Sequence, residues 1–305
     1  MTQIQLKQIE QSSATAGQIA QWNASGDGYW YPTPLSIGDT YWFGTGADGY
    51  AVITSTITLT RDMHYENLTI SSSGTLIALQ YKVIVRGTLT IQWGGVIHNN
   101  GSNAATNSAF GGNGALSRGT IGGNAGTGIG GAGGSYSGGS LGGIGGTGGT
   151  GSPSVGGQGG VQSGYSTAYG THRTGFNIMQ GAFVGGATWQ GIGPGTGGGG
   201  GGGDGTYGAG GGGGGGGLLT IVAKEIVINS GGFIKANGGA GSTRTTGNVG
   251  GGGGGGGGVI FIIYRTMSNS GTIQAAGGSP GSGVGTGSTG STGNPGLVFT
   301  MATTA

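Results

Sequence analysis

Cysteine is absent, charge is scarce, and no apolar run is long. Without Cys there are no disulfide staples and no thiolate metal sites, and redox chemistry leaves the compartment unspecified. Asp, Glu, Lys and Arg make up only 6% of the 305 residues, and the ten basic residues, scattered from Lys7 to Arg265, leave a net charge of +2. No basic stripe forms, so nucleic acid is not an expected partner. Proline occurs six times beside 88 glycines, without a sustained triplet register, which excludes collagen. The longest apolar runs, Leu218–Ala223 and Val259–Tyr264, are strand-sized and far below the ~18 residues of a membrane span. Met1 to Glu10 has no apolar stretch of the kind a secretory signal carries, so the chain is expected to be made and kept in a cytoplasm. Low charge together with 33% apolar residues, clustered rather than spread, argues against disorder.

Chemistry is scarce too. No acid lies between residues 67 and 203 or after 225. Glycosidase chemistry needs paired carboxylates, and only Asp62 with Glu66, or Asp204 with Glu225, offers a pair. A turn hydrogen bond explains Asp62 more simply. His64, His98 and His172 have no partners at metal-ligand spacing. Neither a Gly-Lys-Ser/Thr phosphate cradle nor a Gly-x-Ser-x-Gly serine with acid and His partners occurs. The expectation is no enzyme, no catalytic residue, no metal and no cofactor.

Four zones follow one another: an aromatic-rich cap over 1–50, consecutive short strands over 51–110, a glycine-rich region over 111–217, and strand cassettes alternating with glycine tracts over 218–305. In the second zone apolar residues recur as Val52-Ile53, Ile57/Leu59, Leu68/Ile70, Leu76-Ile77-Leu79, Val83–Val85, Leu89/Ile91 and Val96-Ile97. Strands of about five residues divided by Gly or polar turns predict an all-β fold, a solenoid or a sandwich. Helix is expected nowhere except over 3–12.

An internal repeat sharpens this. Residues 93–101 (Trp-Gly-Gly-Val-Ile-His-Asn-Asn-Gly) align with 230–238 (Ser-Gly-Gly-Phe-Ile-Lys-Ala-Asn-Gly), and 270–277 is a third copy one residue shorter at its turn. Apolar stretches precede the three copies at Val83–Val85, Ile226–Ile228 and Phe261–Ile263, and glycine follows each. A unit of strand, turn, strand and glycine excursion cannot bury its own apolar face, so such units stack. The excursions include uninterrupted glycines at 197–203, 210–217 and 250–258. Isolated polyglycine loses maximal backbone entropy on ordering. Packed polyglycine II helices solve this: three residues per turn leave N–H and C=O pointing outward to neighbours, and nine residues span roughly 28 Å. Matched run lengths suit such a lattice, with 145–150 (Gly-Gly-Thr-Gly-Gly-Thr) as an outer rod. A flexible linker is the alternative.

Three stretches carry a family resemblance. Residues 16–23 (Ala-Gly-Gln-Ile-Ala-Gln-Trp-Asn) followed by 28–32 (Gly-Tyr-Trp-Tyr-Pro) resemble a segment near the N-terminus of phage tail-fibre and tail-tip proteins. Residues 46–101, which contain 46–52 (Gly-Ala-Asp-Gly-Tyr-Ala-Val), 59–70 (Leu-Thr-Arg-Asp-Met-His-Tyr-Glu-Asn-Leu-Thr-Ile) and 83–89 (Val-Ile-Val-Arg-Gly-Thr-Leu), are similar to glycine-rich phage virion and bacterial surface proteins, as is 250–276. The glycine tracts resemble those of tail-fibre tip adhesins. The resemblance implies a structural virion protein of a phage tail fibre or tip, assembled in the host cytoplasm and contributing to host-surface recognition and adsorption. Its implied partners are other tail proteins and a host cell-surface polysaccharide or outer-surface protein. The resemblance also implies a homo-oligomer with a trimer favoured, and exposed strand edges with glycine rods invite lateral pairing. An architectural capsid fibre or decoration protein, and more remotely an ice-binding polyglycine protein, stay open as alternatives.

Two groups of aromatics are candidate binding residues. Trp22, Tyr29, Trp30 and Tyr31 read as a strand, turn and strand that either cap the fibre or attach it to the virion. Tyr165, Tyr169, His172, Arg173, Phe176 and Trp189 concentrate aromatics and a cation within residues 161–192. Such a set anchors a receptor, packs as a local plug, or meets a neighbouring protomer.

Overall fold

A computed structural model describes residues 18–22, 28–32, 42–79, 81–107, 122–131, 144–156 and 195–303. It is all-β. An antiparallel hairpin, β1 (Gln18–Trp22) and β2 (Gly28–Pro32), comes first. Long and short strands then alternate: β3 (Gly49–Ile53), β4 (Thr56–Thr58), β5 (Met63–Ile70), β6 (Thr75–Ile77), β7 (Val83–Ile91), β8 (Val96–His98), β9 (Leu218–Ile228), β10 (Phe233–Lys235), β11 (Val259–Asn269), β12 (Thr272–Gln274) and β13 (Leu297–Ala302). The expectation of five-residue strands is corrected, because the long strands run to eight, nine and eleven residues and the short ones to three. Val83–Val85 and Leu89/Ile91, expected as two strands, form one. No described helix is long and apolar enough to cross a membrane.

Every pairing between β3 and β13 is parallel. The long strands form one sheet in the order β13-β11-β9-β7-β5-β3, and the short strands another in the order β12-β10-β8-β6-β4. From β3 to β12 each successive pair of strands, one coil, contributes one strand to each sheet, and the coils stack in parallel register. The repeat survives residue by residue: Val96, Phe233 and Thr272 are register partners, as are Ile97, Ile234 and Ile273. The preceding stretches do not. Val83 pairs with Ile221, whereas Ile226 pairs with Leu89 and Met267, so the expected anchors lie at two heights of the long strands.

Alternation explains the core. In β9 the inward side chains are Leu219, Ile221 and Ala223, then Ile226 and Ile228. The inward set skips from 223 to 226, and register shifts at the same level occur in the pairings of β5 and β7. This is a column of bulges, where strands bend. The three-residue strands close the interior with Leu76, Ile97 and Ile234, each fully buried. Burial of one such side chain contributes about 1.5–3 kcal/mol. On the opposite face of the long sheet, Phe43 packs on Ile84, Val222, Phe261 and Ile263. Phe43 thus ties the chain just before β3 across strands that follow it by up to 220 residues.

The glycine segments have a different interior. Segment 250–258 donates its N–H groups in three directions with a period of three. Gly250, Gly253 and Gly256 reach Gly202, Gly199 and Thr196 (2.9, 2.8 and 2.7 Å); Gly251, Gly254 and Gly257 reach Ser288, Ser291 and Asn294 (3.0, 2.9 and 2.9 Å); Gly252, Gly255 and Gly258 reach Ser242, Gly239 and Ala236 (3.0, 2.8 and 2.6 Å). Its carbonyls accept from three further segments, through Gly210/Gly213/Gly216, Gly146/Gly149 and Gly278/Gly281. One extended segment therefore has six hydrogen-bonded neighbours, which a β-strand, confined to two, cannot reach. Side chains are excluded by distance: a Cβ on Gly253, Gly254 or Gly255 would stand 2.1, 1.9 or 2.0 Å from a carbonyl oxygen of three different neighbours.

At the surface of this stack, side chains replace the missing neighbours. Asn100, Asn103 and Asn237 each accept from the backbone N–H of the adjacent segment, at Asn237 (2.7 Å), Ala240 (2.7 Å) and Ala276 (2.9 Å). Asn99 sits buried at the junction of coils and glycine, donating Nδ2 to the carbonyls of Leu79 and Leu218.

Candidate recognition surface at the tip of the glycine segments

From β8 onward, a glycine segment leaves one strand pair and another re-enters the next. Pairing between antiparallel segments fixes which end is which. Gly195 bonds Gly216, next to β9, while Gly201 bonds Gly210, so the 204–208 loop lies at the far end. The same logic takes the loops at 127–128, 151–153, 245–248 and 285–286 to that end: Gly205 donates to Thr127 (2.7 Å), Ser152 to Asn248 (3.0 Å) and Val284 to Val249 (3.0 Å). Loops far apart in sequence thus form one tip.

Asp204 organises it. Its Oδ1 accepts from the N–H groups of Thr206 (2.9 Å) and Tyr207 (2.6 Å), and its Oδ2 from Asn248 N–H (2.8 Å). The Tyr207 N–H, then that of Asn248, hold the Asp204 carboxyl below its ordinary range, because hydrogen bonds favour the charged form. Asn248 Oδ1 in turn accepts from Thr286 N–H (3.1 Å). Arg244 reaches the Asn107 carbonyl. Beneath lies a small apolar cluster of Ala125, Ala209 and Val249, with Val284 packed on it. The Asp204 and Asn248 side chains are therefore occupied in shaping loops. Large apolar side chains remain outward: Ile129 is 72% exposed, Val155 56% and Tyr207 47%. Short loops that expose aromatic and aliphatic groups side by side make this end the candidate binding surface.

The residues singled out from sequence are placed unevenly. Tyr165, Tyr169, His172, Arg173, Phe176 and Trp189 lie outside the described residues. Their described flanks are Gly156, packed on Gly148, and Gly195, at the coil end of its segment. Trp22, Tyr29, Trp30 and Tyr31 fall on the expected hairpin, with Trp22 opposite Gly28, Tyr29 opposite Gln21, Trp30 opposite Ala20 and Tyr31 opposite Ile19. The two acid pairs do not meet as facing carboxylates. Asp62 accepts from Lys82 N–H (2.9 Å) and Glu66 pairs with Arg86 (3.2 Å). Asp204 is at the tip, whereas Glu225 lies on β9 and accepts from Thr88 Oγ1 (2.7 Å). Thr147 and Thr150 meet Ser291 and Ser288, each hydroxyl pair at 3.0 Å. Ile129, Val155 and Tyr207 were missed. Their signal is that each is the large residue in a short non-glycine break between glycine runs, which composition alone does not rank. Comparison of the chain with protein-family models, curated proteins and solved structures gives no match.

Proposed function

We propose that this chain is a structural protein of a bacteriophage tail fibre or tail tip that acts by binding rather than catalysis and contributes to host-surface recognition and adsorption. The observation that carries the reading is the tip itself: loops from across the chain, fixed at one end of a side-chain-free scaffold, with Ile129, Val155 and Tyr207 facing outward. In this reading the glycine segments are polyglycine II rods. Support comes from the three-residue period of their donors and from six neighbours around segment 250–258. The rods act as rigid spacers between coils and tip. The β1–β2 hairpin joins other tail proteins through Trp22, Tyr29, Trp30 and Tyr31, the chain assembles as a trimer in the host cytoplasm, and the segment bearing Tyr165 to Trp189 adds to the surface that meets a host polysaccharide or outer-surface protein.

Two measurements test this. Immunogold labelling of native particles is expected to mark the tail; label confined to the capsid would replace the reading with an architectural capsid protein. Purified chain is expected to compete with the phage for adsorption, and Tyr207→Ala to weaken that competition roughly tenfold, the loss of one aromatic anchor, with an unchanged unfolding temperature. Competition equal to that of the unsubstituted chain sinks the tip assignment.

A further inference from the structure

Trp93 stands apart from both the coil core and the tip. It lies in the turn between β7 and β8 and is 71% exposed. Single exposed apolar residues are common on protein surfaces and by themselves mean little. Here the next coil makes room for the ring. Gly231 takes φ +75°, and a Cβ there would stand 2.4 Å from Trp93 Cδ1 and 2.8 Å from Nε1. Gly94 N–H also donates to Gly231 O (2.8 Å), which locks the two turns together. The indole is thus seated on main chain on one side and open to solvent on the other.

The surroundings have one chemistry. Successive turns stack in register, with Gln92 N–H on Ile70 O, Asn229 N–H on Ile91 O and Ser270 N–H on Ile228 O (2.9, 2.9 and 2.8 Å). Residues 71–74, 92–95, 229–232 and 268–271 contain no Asp, Glu, Lys or Arg. Ser72, Ser73, Gln92, Asn229, Ser230 and Asn269 are all exposed. Hydroxyls and amides therefore recur at the spacing of parallel strands, about 4.8 Å, close to the advance of one sugar along an extended polysaccharide. The ridge lies at the end of each long strand remote from the glycine segments.

We propose that this ridge binds a neutral linear polysaccharide running across the coils, with one sugar ring stacked on Trp93 and the flanking amides and hydroxyls bonding its neighbours. An aromatic face provides apolar contact to the C–H face of a sugar. None of these turn residues is cationic, which disfavours an anionic polymer. The site is separate from the tip and stands whether or not the tip binds a host.

Affinity electrophoresis of the full chain through gels holding dextran, laminarin, galactomannan or mannan tests this, with alginate and heparin as anionic controls. At least one neutral polymer is expected to retard the protein. Trp93→Ala is expected to raise the dissociation constant roughly tenfold, about 1.4 kcal/mol, while Trp93→Phe retains most of the binding. The Asn229→Ala/Ser230→Ala double variant, on exposed positions, is expected to weaken it roughly threefold and serves if Trp93→Ala lowers the unfolding temperature. The proposal is overturned if no neutral polymer retards the chain, if only the anionic ones do, or if Trp93→Ala and the double variant both bind like the unsubstituted chain.

Discussion

In the stacked coils the interior is side chain; in the glycine stack it is main chain. Leu219, Ile221, Ile226 and Ile228 fill one with apolar groups, and two neighbouring strands satisfy the backbone of each inner strand. Segment 250–258 contributes no side chain to the other and spreads its backbone bonds over six neighbours. The difference matters for how each tolerates change. An apolar core relaxes partly around a lost methyl group, so its losses are graded. A stack whose neighbours approach to within a missing Cβ has no slack, and each glycine costs more entropy to order than any other residue. Its bonds must form together. A free polyglycine run gains nothing by adopting the same shape alone.

That contrast can be broken experimentally, beginning with the coils. Ile226→Ala, at a fully buried site, is expected to lower stability by about 4 kcal/mol, read by denaturant unfolding. Amide exchange should accelerate over both regions, because the glycine segments are tethered by β9 to β13. Retained protection in the glycine stack alone would show that it folds without the coils.

Gly254→Ala is the reciprocal change. Its Cβ would stand 1.9 Å from the Gly278 carbonyl oxygen, and the cost of forcing neighbours apart is about 3 kcal/mol. Exchange is expected to speed up in 195–217 and 249–258 while β5 to β9 stay protected. Equal loss in both regions would merge them into one cooperative unit and end the comparison.

Acid provides the gentlest probe. Burial, and secondarily the charge of Lys235 on the adjacent strand, lowers the His98 pKa below its ordinary value. The folded state therefore resists protonation that the unfolded chain accepts. Stability contributed at this site is complete above the ordinary histidine pKa of about 6.5 and falls as pH drops through that value toward the lowered one. The glycine segments carry no described histidine. Thermal unfolding from pH 7.5 to 5 should show a small loss, and His98→Asn should flatten it. An unflattened slope would move the acid sensitivity elsewhere.

The repeat at 93–101 and 230–238 was legible because stacking requires the same residue pattern at the same height, and the register of Val96 with Phe233 and of Ile97 with Ile234 follows it. Strand lengths were not legible. A register shift within β7 moves the inward alternation, so Val83–Val85 and Leu89/Ile91 look like separate strands in sequence. The copy at residues 72–78 escaped notice because no glycine follows it until Gly87, whereas glycine follows the other three copies. Tyr207, Ile129 and Val155 escaped because short breaks in glycine look like interruptions rather than loops gathered in space.

By itself the sequence determined that the chain is all-β, that its coils repeat, and that its longest tracts can hold only glycine-compatible conformations. Those are local properties of alternation, turn chemistry and the missing Cβ. Tertiary structure alone decided which glycine segments are neighbours, which loops share the tip, and that Phe43 seals the outer face of strands so distant in the chain. Backbone groups are chemically alike in every glycine, so no residue pattern names the partner; the coils that the segments leave and re-enter set it.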